Sequence, residues 1–138
     1  MFQVSVEESF SAGHALRGYH GKCENVHGHN YKVRIKLQGL SLNSIGLLYD
    51  FKEIKESIQT VIRKLDHKFM NDYPPFDDIN PSAENIAKFF YDQINPVVAE
   101  AGSAHPETHN PHPAPCHVQE ITVWETDTTT ATYLGPHT

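Results

Sequence analysis

The stretch CENVHGHNYKVRIKLQ, residues 23–38, holds a cluster of chemically capable side chains directly ahead of a strand. From His29 onward it alternates. His29, Tyr31, Val33, Ile35 and Leu37 fall on one parity and Asn30, Lys32, Arg34, Lys36 and Gln38 on the other, the period-two pattern of a half-buried strand. Counting back two residues puts His27 on the parity of His29, so both imidazoles can stand side by side over one edge of the core. Gly28 between them relaxes the backbone at the strand entry.

Upstream, MFQVSVEESF reads as a second alternating segment, with Phe2, Val4 and Val6 on one face. Phe10, Ala12 and His14 continue that face, Glu8 being the exception, so His14 points inward if no bulge intervenes. Downstream the period changes. In DFKEIKESIQTVIRKLDHKF, residues 50–69, the positions Ile54, Ile58, Val61, Ile62 and Leu65 form a helical stripe, and Asp50 with Glu53 has the spacing of a capping box. A helix over 51–65 follows, delivering Asp66 and His67 at its C-terminal end. A polar loop with prolines leads to Ser82, which can cap a second helix with the stripe Ile86, Phe89 or Phe90, and Ile94. Pro96 is expected to kink or end that helix. Residues 101–117, rich in His and Pro, read as a loop, and VQEITVWETD and TTTATYL, residues 118–127 and 128–134, as two final strands. The order ββααββ predicts an α+β fold with a four-stranded, largely antiparallel sheet carrying both helices on one face.

A chain of 138 residues fits one domain, taken as 1–138. Two cysteines and no apolar stretch of spanning length point to a reducing cytoplasm and away from a membrane. The net charge of −6 argues against a general nucleic-acid surface. It leaves room for a small anionic substrate, since Arg17, His20 and Lys22 lie close in sequence to the motif.

Two histidines at i and i+2 on a strand can meet one ion, and His14 on the neighbouring strand would complete a facial set of three nitrogens with one position open. A closed structural zinc site would need Cys23 as a fourth ligand; the plainer alternative is that His27 and His29 make only local hydrogen bonds. Cys23 is either a small buried hydrophobe or, beside a cation, a thiolate able to act as a base. His67 with Asp66 is a candidate proton relay or simply the close of the first helix, where the carboxylate opposes the helix dipole. Glu125 shares a face with Ile121 and Val123, where a carboxylate must find donors, such as a planar N–H pair on a ligand, unless it turns out to solvent. Glu84 fits either hydrogen bonding to a ligand or the favoured charge of a helix start. His105, His109, His112, Cys116 and His117 read as surface residues of an extended loop.

Taken together, FSAGH (10–14), CENVHGHNY (23–31), GLLYDF (46–51), LDHKFMND (65–72), NPSAEN (80–85) and WETD (124–127) resemble the 6-pyruvoyl-tetrahydropterin and 6-carboxytetrahydropterin synthase family, in family order along nearly the whole chain. The resemblance implies a tunnelling fold, trimers pairing into homohexamers, and active sites at subunit interfaces. It makes His14, His27 and His29 zinc ligands, Cys23 the general base, and His67 with Asp66 the relay. It also makes Glu125 the anchor for a pterin's amino-pyrimidine edge, with Glu84 and Ser82 a second pterin-contact motif. The implied substrate is 7,8-dihydroneopterin triphosphate. The short C-x-x-x-H-G-H spacing is similar to the bacterial 6-carboxytetrahydropterin synthases of queuosine synthesis. Glu24 beside Cys23 resembles folate-pathway relatives that make 6-hydroxymethyl-dihydropterin; 6-pyruvoyl-tetrahydropterin formation and a non-enzymatic pterin-binding module are the further alternatives.

Overall fold

The computed structural model describes residues 1–21, 24–103 and 112–136. Its sheet is built from β1 (Phe2–His14), β2 (His27–Gly39), β3 (Cys116–Thr126) and β4 (Thr129–Tyr133), in that spatial order, every neighbour antiparallel. Between β2 and β3 the backbone runs through α1 (Phe51–Leu65), a single 3-10 turn at Met70–Asp72, and α2 (Ala83–Ser103). This is the ββααββ order and the α+β class that the sequence predicts. The helices cover one face, α1 over β1 and α2 over β3 and β4. Val6, Phe10, Tyr31, Val33, Ile35 and Leu37 from the sheet pack there against Ile54, Ile58, Ile86, Phe90 and Ile94.

Two features of the register position the site. β1 and β2 pair without a slip from Phe2 opposite Gly39 to His14 opposite His27. The inward parity of β1 therefore survives to its last residue, with Glu8 half-buried on the core side. β3 carries two irregularities. One, opposite Lys36 and Leu37, leaves Gln119 as an extra residue; the other, between Trp124 and Thr126, leaves Glu125 extra against β4. Bulges re-aim side chains, and this one frees Glu125 from the ladder at the end of the sheet that bears the histidines.

The capping residues behave as expected. Asp50 accepts from the Lys52 amide at 2.8 Å to start α1, and Ser82 Oγ accepts from the Asn85 amide at 3.2 Å to start α2. Pro96 does not end the helix, because α2 continues through it to Ser103. Proline removes one hydrogen bond to the preceding turn, but Pro96 faces solvent while Ile94 and Val98, each 1 % exposed, hold the opposite side in the core. Asn95 adds a tie by accepting from the Val118 amide at 3.0 Å. The loop expected over 101–117 does not hold at its two ends, where residues 101–103 close α2 and Cys116 and His117 belong to β3; residues 104–111 lie outside the described residues.

Candidate active site

His14 ends β1, His27 opens β2, and His29 follows on the same face. Their ring centroids lie 4.5–5.1 Å apart in edge-on contacts. His14 is buried, and its Nδ1 stands 2.7 Å from the carbonyl of Pro81 and 3.1 Å from the hydroxyl of Tyr31. A carbonyl can only accept, so in the neutral ring Nδ1 carries the proton and Nε2 keeps its lone pair. His27 repeats the arrangement, with Nδ1 2.7 Å from the Asn25 carbonyl. The two Nε2 atoms then face each other at 2.9 Å. His29 Nε2 lies 3.0 Å from Glu125 Oε1, off the angle for a hydrogen bond, so among the described residues it is buried without a hydrogen-bond partner. Glu125 Oε1 is also 3.2 Å from His14 Nε2.

This donor set fits a cation. His14, His27, His29 and Glu125 offer ligand atoms all within 4.8 Å of one another. Around a tetrahedral zinc with bonds of roughly 2.0–2.1 Å, neighbouring ligand atoms would sit about 3.3 Å apart; the His14–His27, His14–Glu125 and His29–Glu125 pairs stand at 2.9, 3.2 and 3.0 Å, and all pairs lie within 4.8 Å. Two imidazole lone pairs aimed at each other and a third unpartnered nitrogen are unfavourable alone and favourable around a positive charge. The electrostatics agree in direction. Burial holds the His29 imidazole below its ordinary pKa, opposed by Glu125 and reinforced by the other two histidines, which keeps it neutral and able to donate its lone pair. Burial and Glu125 together push the Tyr31 phenol well above its usual range. It stays a neutral hydroxyl beneath the cluster.

An open cavity of about 420 Å³ adjoins His29, between the ends of β1 and β2 and the segment His67–Phe69. That is within the range that takes small-molecule ligands. Along the same edge, Asp66 Oδ1 accepts from the Ser11 amide at 2.9 Å, and the His67 amide donates to the Ser11 carbonyl at 2.6 Å. His67 adopts φ 57°, a left-handed position just past α1 where glycine is usual. Its ring is 81 % exposed, with Nε2 3.7 Å from Asp66 Oδ2.

The profile of the family described as 6-pyruvoyl tetrahydropterin synthase matches residues 3–136. The chain belongs to that family. As a 6-pyruvoyl tetrahydropterin synthase family member it is 27% identical to the 6-carboxy-5,6,7,8-tetrahydropterin synthase of Haemophilus influenzae, over 96% of this chain and 99% of that protein. It is 32% identical to the 6-pyruvoyl tetrahydrobiopterin synthase of Drosophila melanogaster, over 94% of this chain and 77% of that one. The structure of Caenorhabditis elegans 6-pyruvoyl tetrahydropterin synthase superposes with a TM-score of 0.75 at 26% identity, covering 98% of this chain and 96% of that one.

Of the residues singled out in this family member, the structure gathers His14, His27, His29 and Glu125 into one cluster. Asp66 and His67 flank the adjoining cavity edge. Glu84 is exposed in the first turn of α2, and Ser82 caps that helix next to Pro81, whose carbonyl holds His14. Glu24 is exposed; Cys23 and Lys22 lie outside the described residues, as do His105 and His109. Burial pushes the Cys116 thiol up to about 11, so it stays protonated and unreactive near neutrality. Arg17, taken as available for an anion, spends its guanidinium on the carbonyls of Phe76 at 2.7 Å, Asn71 at 3.3 Å and Ile79 at 3.4 Å. Sequence reasoning missed Tyr31, which its parity placed inward but whose hydroxyl gave no sign of its partner. It also missed the carbonyls of Pro81 and Asn25, which carry no side-chain signature.

Proposed function

We propose that the protein is a 6-carboxy-5,6,7,8-tetrahydropterin synthase of 7-deazaguanine and queuosine synthesis. It would take 7,8-dihydroneopterin triphosphate and water to 6-carboxytetrahydropterin, acetaldehyde and triphosphate. Residues 1–138 act as one catalytic unit in the cytoplasm, assembled as trimers pairing into a hexamer. The main support is the convergence of the three Nε2 atoms beside an open cavity, in a family that includes a 6-carboxytetrahydropterin synthase similar over nearly its whole length.

In this proposal His14, His27 and His29 hold zinc, favoured by three imidazoles, which when bound supplies the Lewis acidity that makes a C–H bond in the pterin's ring substituent labile. Cys23 takes the proton, and His67, oriented by Asp66, passes it between substituent and ring. Glu125 accepts from the amino-pyrimidine edge, two parallel N–H bonds on one carboxylate, and Glu84 with Ser82 adds a second pterin contact. The ring gains the two electrons the substituent loses, so no external hydride cofactor is required.

Glu24 beside Cys23 favours a second outcome, cleavage to 6-hydroxymethyl-dihydropterin, because moving the proton acceptor changes which bond breaks. The similarity to the Drosophila melanogaster protein favours 6-pyruvoyl-tetrahydropterin instead. Mass spectrometry of the products from zinc-loaded protein and 7,8-dihydroneopterin triphosphate separates the three. Acetaldehyde with a 6-carboxy pterin supports the proposal, either other pterin as main product replaces it, and binding without turnover would mark a pterin-binding module.

A further inference from the structure

Beyond Phe10 the free edge of β1 is gripped by the segment 66–71. The amides of alternate residues point that way: Ser11 donates to Asp66 Oδ1 and Gly13 to the Lys68 carbonyl, each at 2.9 Å. At Ala15, one residue past the strand, the partner changes from backbone to side chain. Asn71 Oδ1 accepts from the Ala15 amide and Asn71 Nδ2 donates to the Ala15 carbonyl, both at 2.9 Å. A carboxamide bonded both ways to one residue copies the pairing of a neighbouring strand. Asn71 is 8 % exposed, and it and His14 are two of three buried polar side chains among the described residues.

We propose that Asn71 is a positioning residue for His14, an inference that rests on the metal centre proposed above. β2 holds His14 from one side through its pairing with His27. Asn71 holds the next residue from the other, where β1 pairs with no strand among the described residues. With both peptide groups of Ala15 fixed, the His14 ring keeps Nδ1 on the Pro81 carbonyl and Nε2 on the cluster. Without the carboxamide, Ala15 loses both hydrogen bonds it makes on that side among the described residues, and the end of the strand can twist. Ligand atoms must stay within about 0.5 Å of productive geometry to retain full affinity.

The test is zinc affinity by chelator competition, together with the visible absorption of cobalt(II)-substituted protein, in wild type, Asn71→Ala and Asn95→Ala. Asn95 also ties a backbone amide, that of Val118, at the far end of the sheet, so its loss reports general destabilisation. Asn71→Ala is expected to lose about 10- to 100-fold in zinc affinity and to alter the cobalt bands, while Asn95→Ala lowers the melting temperature and leaves both unchanged. If Asn71→Ala does not fold, Asn71→Ser serves in its place, since its short hydroxyl cannot bond both Ala15 groups. Wild-type affinity and spectrum in the Asn71 variant, or an equal loss in Asn95→Ala, would overturn the inference. Wild-type protein that takes up no metal would instead overturn the metal centre itself, a result seen before any variant is made.

Discussion

Asp66 gives two separable predictions, because its carboxylate holds the fold and is proposed to serve the chemistry. Its Oδ1 accepts from the half-buried Ser11 amide at 2.9 Å. Asp66→Ala removes a hydrogen bond to a charged group and strands the amide, costing about 2 kcal/mol. Relief of an anion at the C-terminal end of α1 returns about 0.5 kcal/mol. The net loss of about 1.5 kcal/mol corresponds to a melting temperature lower by roughly 6 °C in a domain of this size. Asp66→Asn keeps an acceptor for Ser11 and also sheds the charge, so it should melt within about 2 °C of wild type. Both variants lose the group proposed to orient His67, and both should lose about 100-fold in kcat. Scanning calorimetry and product formation on the same preparations check both halves. Equal destabilisation of the two variants would refute the assignment of the Ser11 contact, and full activity in Asp66→Asn would remove the carboxylate from the relay.

Glu125→Gln should retain one zinc per protomer yet bind pterin at least about tenfold more weakly, since the carboxylate is proposed as the ligand anchor and a neutral amide loses charge assistance; equilibrium dialysis with metal analysis reads both, and loss of zinc would make Glu125 a metal ligand. The depressed His29 pKa sets the pH response of the metal-free protein. The unfolded state takes up a proton near the ordinary value of 6.5, before the folded state does, so stability holds above that pH and falls as the solution is acidified through the lower folded value; denaturant titrations from pH 8 to pH 5 should show this fall, and His29→Asn should flatten it. Asp50→Ala loses the bond to the Lys52 amide and should cost about 1 kcal/mol, read as a lower denaturant midpoint with metal affinity unchanged.

The strands and α1 were legible because their apolar spacing follows from which face each element buries. His14 was legible only on the condition that β1 stay unbulged, and its unbroken register with β2 meets that condition. Glu125 was picked out as an inward carboxylate, but the bulge that releases it toward the histidines depends on pairing with β4, which parity along one strand does not report. Pro96 did not end α2, because the lost hydrogen bond was outweighed by core contacts on the opposite side of the helix. Asn71 went unread, and Arg17 was misread as free for an anion, for a different reason. Their partners lie more than fifty residues away in sequence, so only the folded protein shows an asparagine acting as a strand and an arginine tied to carbonyls.

Metal analysis of protein purified and then exposed to zinc, in wild type and in His14→Ala, His27→Ala and His29→Ala, tests the central claim most directly. One tightly held zinc per wild-type protomer, lost from each of the three variants while they remain folded, is the predicted result. Wild-type protein that takes up no zinc, or full retention in any one of the variants, would contradict it.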